Sequence, residues 1–141
     1  PSMLGRGRGH VVPISSVAGK LGTPQRTAYC ASKHALHGFY DGLRAEVEGR
    51  GVRVTIITPG YVRTAVSANA LTGEGGAFGV TDRNIQNGIP PEECAAAIAR
   101  GVERGDHEVL VGGTETLAVY LKRFFPRIAA RVVRGVNTPT G

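Results

Sequence analysis

Apolar and polar positions along the chain fall into alternating strand-like and helix-like patterns. The run GHVVPISS, Gly9 to Ser16, is short, rich in β-branched residues and nearly free of polar alternation. Such a run predicts a strand covered on both faces. Pro13 interrupts it, because proline has no N–H to give to a ladder. Either the strand is loosened there or the missing donor faces a place where no bond is made. Val17 to Arg26 carries Gly and Pro punctuation and predicts a loop. From Thr27 to about Glu48 the period becomes helical. Ala28, Ala31, Ala35, Phe39 and Leu43 recur at three- and four-residue steps, with Leu36 and Val47 beside them. The stripe of Ala31, Ala35 and Phe39 is expected to be the core face. Gly49-Arg50-Gly51 ends the helix, glycine being free to take a positive φ.

VRVTIITPG, Val52 to Gly60, predicts a second buried strand stopped by Pro59-Gly60. From Ala65 to Ile89 no period is sustained, and a loop of that length in a compact domain is usually functional or mobile. PPEECAAAIARGVERG predicts a helix, with prolines at its start, acids in its first turn and Arg in its last. HEVLVGG predicts a third strand, and TETLAVYLKRFFPRIAARVVRGV a helical tail broken at Pro126. Strands alternating with helices predict an α/β fold with a parallel, doubly wound sheet. Three strands make a thin sheet whose first member would show a naked edge. The opening PSML reads as the tail of a helix. Both features lead to the expectation that this is the C-terminal part of a longer protein.

Composition narrows the class. With 141 residues, 41% hydrophobic and 20% charged, the chain lies in the globular range and can build one domain. No stretch has the apolar length to span a bilayer, and no basic-then-apolar leader is seen. Cys30 and Cys94 lack metal or redox spacing, so two reduced thiols and a cytoplasmic location are expected. The net charge of +6 draws on Arg6 and Arg8 in a Gly-rich turn and on Lys122, Arg123, Arg127, Arg131 and Arg134 near the end. No reading motif for nucleic acid accompanies it, and no nucleic-acid partner is expected. The tail is apolar over Leu117, Val119, Tyr120, Leu121, Phe124 and Phe125, then basic and amphipathic. It is expected to close over a pocket or pack on another subunit, with peripheral contact to an anionic membrane as the other option. His34 and His37 have no third partner at metal-ligand spacing and are expected to face solvent or a subunit.

Tyr29 and Lys33 stand four residues apart and share one helix face. An ordinary tyrosine pKa lies near ~10, and an adjacent cation favours the phenolate. The pair can therefore serve as a general acid/base. Ser15-Ser16 end the first strand, Tyr29 opens the next helix, and Pro59-Gly60 end the next strand. In doubly wound sheets ligands lie beyond the carboxyl ends of the strands, where these segments converge. A Ser16 hydroxyl could hold a substrate oxygen there while Tyr29 exchanges the proton.

GHVVPISSVAG, TAYCASKHALHGFYDGLRAEV and VRVTIITPGYVRT, in this order, resemble the C-terminal half of a short-chain dehydrogenase/reductase. The resemblance spans nearly the whole chain. Ser16 precedes Tyr29 by thirteen residues, Tyr29 to Lys33 match Y-x-x-x-K, and Pro59 to Thr64 match P-G-x-x-x-T. The resemblance implies that residues 1–141 are the C-terminal portion of one Rossmann-type domain, with a substrate loop over 65–90 and a helical tail over 114–136. It implies an NAD- or NADP-dependent oxidoreductase acting on a carbonyl/alcohol pair. Tyr29 would be the acid/base, Lys33 would bind the nicotinamide ribose, and Ser16 would hold the reacting oxygen. Pro59, Gly60, Val62 and Thr64 would line the nicotinamide pocket. A hydrophobic carbonyl or alcohol substrate and a homodimer or homotetramer are the implied partners. The family's glycine-rich TGxxxGxG loop, its N-N-A-G segment and the tetrad asparagine are not in this sequence. Hence the rival expectation of a non-catalytic binding or scaffold protein, or an inactive fragment without its cofactor half.

Overall fold

The computed structural model describes residues 2–66, 68–70, 75–76, 79 and 82–136. Its centre is one extended run, Val52 to Pro59, read as β2 (Val52–Val54) and β3 (Ile56–Pro59). β1 (Gly9–Val11) lies parallel to β2, with Gly9 opposite Val52. β4 (Glu108–Val111) lies parallel to β3, with Ile56 opposite Glu108 and Pro59 opposite Val111. The middle run thus passes from one neighbour to the other along its length. β-Branched residues suit it: Val52, Val54, Ile56 and Ile57 are all buried.

Side chains alternate across the run and meet helices on both faces. Val52 and Val54 pack with Tyr40, Leu43 and Val47 of α2 (Thr27–Val47) and with Met3 and Leu4 of the short opening helix α1 (Ser2–Gly5). Ile57, Val109 and Val111 pack with Cys94, Ala97, Ile98 and Val102. After β3 come a short α3 (Arg83–Gln86), then α4 (Pro91–Arg104), which carries this second set of contacts. Pro at the start of α4, Glu92 and Glu93 in its first turn, and left-handed Gly105 beyond its end are all as the sequence suggests. The tail forms α5 (Leu117–Phe124) and α6 (Pro126–Arg134), parted at Phe125. The parallel α/β arrangement agrees with the prediction.

Three expectations need correction. The predicted first strand keeps regular pairing only to Val11, with one further bridge from Ile14 to Ile57. Thr55 N–H donates to Val11 O, Ile57 N–H to Pro13 O, and Ser15 N–H to Ile57 O. The donor that Pro13 lacks is the one that would reach the Thr55 carbonyl, so the ladder breaks there. Second, Ala31, Ala35 and Phe39 are exposed, and Phe39 keeps 65% of its surface. The inward face of α2 instead runs through Cys30, Lys33, His37, Tyr40, Arg44 and Val47. Third, the stretch from Ala65 to Ile89, read as having no sustained period, includes one short helix, α3, whose start is capped by Asp82 accepting from Asn84 N–H. Residues 67, 71–74, 77–78 and 80–81 of the expected substrate loop lie outside the described residues.

The turn from α2 into β2 depends on Gly51, which has φ 78° and would press a Cβ into the Gly7 carbonyl oxygen. Gly51→Ala is expected to destabilise the fold by roughly 2 kcal/mol or more, because backbone strain and a backbone clash add. Denaturant unfolding of the two proteins measures the difference.

Candidate active site

Beyond Pro13 the chain is steered to the carboxyl end of the sheet by the Ile14–Ile57 bridge and by Ser15 N–H donating to Ile57 O at 2.7 Å. Ser16 follows in extended backbone (φ −167°, ψ 161°) and opens a single 3-10 turn over Val17–Gly19. Its hydroxyl oxygen accepts from Ala18 N–H at 3.1 Å, which leaves the hydroxyl proton for another acceptor. Tyr29 lies in the first turn of α2 with 44% of its surface exposed. The Lys33 ammonium stands 5.7 Å from the centre of the Tyr29 ring and donates to the Ile14 carbonyl at 3.0 Å. Lys33 therefore bridges the tyrosine and the strand end that presents Ser16 two residues later.

Pro59 closes the register with β4, and Gly60 N–H continues it by donating to Val111 O at 2.8 Å. A side chain at Gly60 would collide with the Glu115 carboxylate. That carboxylate accepts from Tyr61 N–H at 2.8 Å and Gly113 N–H at 3.0 Å, pinning the ends of β3 and β4 together. Val62 bridges Ile89, with Ile89 N–H donating to Tyr61 O and Arg63 N–H to Ile89 O. Alternation along an extended chain then directs the N–H and C=O of Val62 to the opposite side. Thr64 is exposed, its hydroxyl oxygen accepting from Val66 N–H at 3.4 Å.

Two groups here were not singled out from the sequence. Arg26, three residues before Tyr29, pairs with buried Asp82 at 2.9 Å and so ties the end of the long loop to the entry of α2. Burial raises the Tyr61 hydroxyl pKa above the usual tyrosine range, with Asp82 raising it further against the opposing Arg26. The partners of the Arg26–Asp82 pair are 56 residues apart, and no local pattern announces it. For Glu115 the only signal was its place just after Gly112-Gly113.

The short chain dehydrogenase family model matches residues 1–75, more than half of the chain. The chain belongs to the short-chain dehydrogenase family. It is 46% identical over 134 residues to dehydrogenase/reductase SDR family member 7B of Danio rerio, covering 94% of this chain and 43% of that protein. Against the Xenopus laevis protein of the same name the identity is 49% over 129 residues, covering 91% and 40%. The chain thus spans about two-fifths of the length of these curated relatives. Among solved structures, a short-chain dehydrogenase from Streptomyces avermitilis aligns with TM-score 0.69 at 30% identity, over 97% of this chain and 55% of that one. A Burkholderia cenocepacia short-chain dehydrogenase in complex with NADP aligns with TM-score 0.74 at 22% identity, over 99% and 51%, and shows the fold alone.

Within this short-chain dehydrogenase chain the histidines of α2 separate. His34 is exposed, with Nδ1 2.8 Å from the Cys30 carbonyl. His37, expected to face solvent or a subunit, is instead buried against Ser15, its Nε2 3.0 Å from Ser15 Oγ. Burial lowers the His37 pKa from 6.5, with Lys20 and His34 acting the same way and Glu108 and Asp41 opposing. His10 is lowered too, by burial and then by Arg53. A lowered folded-state pKa means that the unfolded chain binds more protons near and below pH 6.5. The stability held above that pH is then lost as pH falls through it. Thermal melts at about pH 7.5 and about pH 5.5 are expected to show a smaller acid loss in His37→Gln than in wild type.

Proposed function

We propose that the intact protein is an NAD(P)-dependent oxidoreductase that interconverts a carbonyl and an alcohol, with this chain as the C-terminal portion of its single domain. The observation that carries this reading is the placement of Lys33, which lies against Tyr29 while bonded to the strand end that presents Ser16. In this reading Ser16 donates its free hydroxyl proton to the reacting oxygen. Tyr29 gives that oxygen a proton in reduction and takes it back in oxidation. The Lys33 cation stabilises negative charge developing on the phenolic oxygen and holds ribose hydroxyls. The outward N–H and C=O of Val62 match the acceptor and donor of a nicotinamide carboxamide, with Pro59, Gly60 and Thr64 around it. When bound, NAD or NADP supplies or takes the hydride. The cofactor's phosphates have no glycine-rich TGxxxGxG cradle in this sequence, so residues 1–141 alone are proposed to be inactive. The experiment is turnover of the full-length protein against a panel of ketones and aldehydes, followed by cofactor absorbance. Tyr29→Phe is expected to lose about 10²–10⁴-fold in rate, and a fully active variant would overturn the reading.

The surfaces support a proposal for the partners. A cavity of about 330 Å³ between the tail and the loop after Ser16 is lined by Leu21, Leu121, Ala129 and Val133, which suits a hydrophobic substrate. The exposed Ala31, Ala35 and Phe39 face of α2 is proposed to meet a second copy of the chain. Along α5 and α6, Leu117, Tyr120, Phe124, Ile128 and Val132 are exposed beside Arg123, Arg127 and Arg131, a combination suited to peripheral contact with anionic lipid. Among the described residues no helix is long and apolar enough to cross a membrane. Arg127→Gln with Arg131→Gln is expected to reduce co-sedimentation with anionic vesicles at low salt; equal sedimentation would remove the lipid assignment.

A further inference from the structure

Ser15, immediately before the proposed catalytic serine, is one of the most buried polar residues in the chain, at 4% exposure. Its hydroxyl donates to the Lys33 main-chain carbonyl at 3.2 Å. A serine has one hydroxyl proton, and this bond uses it. His37 Nε2, 3.0 Å from the same oxygen, must then be the donor in the second bond. That assigns the tautomer: His37 is protonated on Nε2, and Nδ1 is the bare nitrogen. Nδ1 is buried and has no hydrogen-bond partner among the described residues, so a proton placed there would have no acceptor. Gly19 closes the cluster. A Cβ at that position would stand 2.5 Å from Ser15 Oγ, 2.8 Å from the Lys33 carbonyl oxygen and 2.9 Å from the His37 ring.

Lys33 is thus held at both ends by consecutive residues. Ile14 takes its ammonium, Ser15 takes its carbonyl, and His37 one turn further along α2 locks the Ser15 hydroxyl. Ser16 is the next residue in the same segment. We propose that Ser15 and His37 are positioning residues, a buried hydrogen-bonded clamp that sets the Ser16-bearing strand end against the Tyr29–Lys33 face of α2. The clamp touches neither substrate nor cofactor and acts through Lys33 and Ser16. It rests on the oxidoreductase reading of the site.

The full-length protein tests the clamp with His37→Leu, His37→Gln, Ser15→Ala and the Ser15→Ala/His37→Leu double variant, assayed well below each melting temperature. His37→Leu is expected to lower kcat/KM about tenfold or more, since misplacement of reacting groups is costly in rate. His37→Gln can still present an N–H to Ser15 and is expected within about threefold of wild type. Partners in one interaction are not additive, so the double variant is expected to be no worse than the poorer single. A His37→Leu protein that melts earlier but keeps kcat and KM overturns the clamp, as does a Gln variant as impaired as Leu. Should His37→Leu fail to fold, Ser15→Ala carries the same comparison. Independently of turnover, ¹⁵N NMR of the imidazole is expected to show the Nε2–H tautomer in wild type; the Nδ1–H tautomer overturns the assignment. An active Tyr29→Phe rejects the oxidoreductase reading itself, whereas an inactive Tyr29→Phe beside a fully active His37→Leu rejects only the clamp.

Discussion

The rest of the structure hangs on the burial of four consecutive residues, Thr55, Ile56, Ile57 and Thr58, each with at most 1% of its surface exposed. Away from water every polar group in that stretch needs a protein partner. Backbone pairing to β1 and Ile14 on one side and to β4 on the other supplies most of them. The Thr55 hydroxyl donates to Asp106 O and lies 2.8 Å from His10 Nε2. The Thr58 hydroxyl donates to Glu108 Oε1 at 2.7 Å. Where the middle run changes neighbours, Arg44 reaches in from α2 and bonds both Val54 O and His107 O. With the run held this way its carboxyl end has one position, and Ser15 and Gly60 are placed by bonds to it and to its neighbour β4.

The same requirement spreads to the surface. Glu108, which holds Thr58, also pairs with Lys20 at 2.9 Å, and the Lys20 carbonyl accepts from Lys122 Nζ at 2.7 Å. Core, loop after Ser16 and tail α5 are therefore joined through polar contacts as well as through the apolar cavity between them. Partly exposed pairs of this kind add little stability, so their effect is chiefly on where the loop and the tail lie. A change at the tail then has a direct route to the loop beside the site.

Much of the fold was legible. Val52 to Pro59 and Glu108 to Val111 read as strands because their β-branched runs are bounded by glycine or proline, and α4 read as a helix from its terminal residues. The nearness of Lys33 to Tyr29 was legible because residues four apart share one helix face whatever the packing. What failed was the face of α2. Hydrophobic patterning picks out Ala31, Ala35 and Phe39, yet the inward face carries Lys33, His37 and Arg44. Those polar side chains are inward because the neighbouring surface offers them carbonyls and a hydroxyl, which periodicity does not encode. Arg26–Asp82 and Glu115 were missed for a related reason, since their partners are brought together only by the crossover topology.

Pro13 shows how these points combine. In a parallel strand with an ordinary residue at that position, an N–H would reach the Thr55 carbonyl and carry the ladder unbroken to Ser16. Proline removes that bond at the level where the middle run turns from one neighbour to the other. The segment beyond it, Ile14 to Ser16, gives the middle run one backbone hydrogen bond, Ser15 N–H to Ile57 O, which with Ile57 N–H to Pro13 O makes up the Ile14–Ile57 bridge. A ladder so short leaves the direction of the next residue weakly determined. Further contacts come from α2: the Lys33 ammonium on Ile14, and the Ser15 hydroxyl between Lys33 and His37. The position of Ser16 relative to Tyr29 is thereby set by the helix that carries Tyr29 more than by the sheet, and the two groups proposed to meet on one oxygen share a frame.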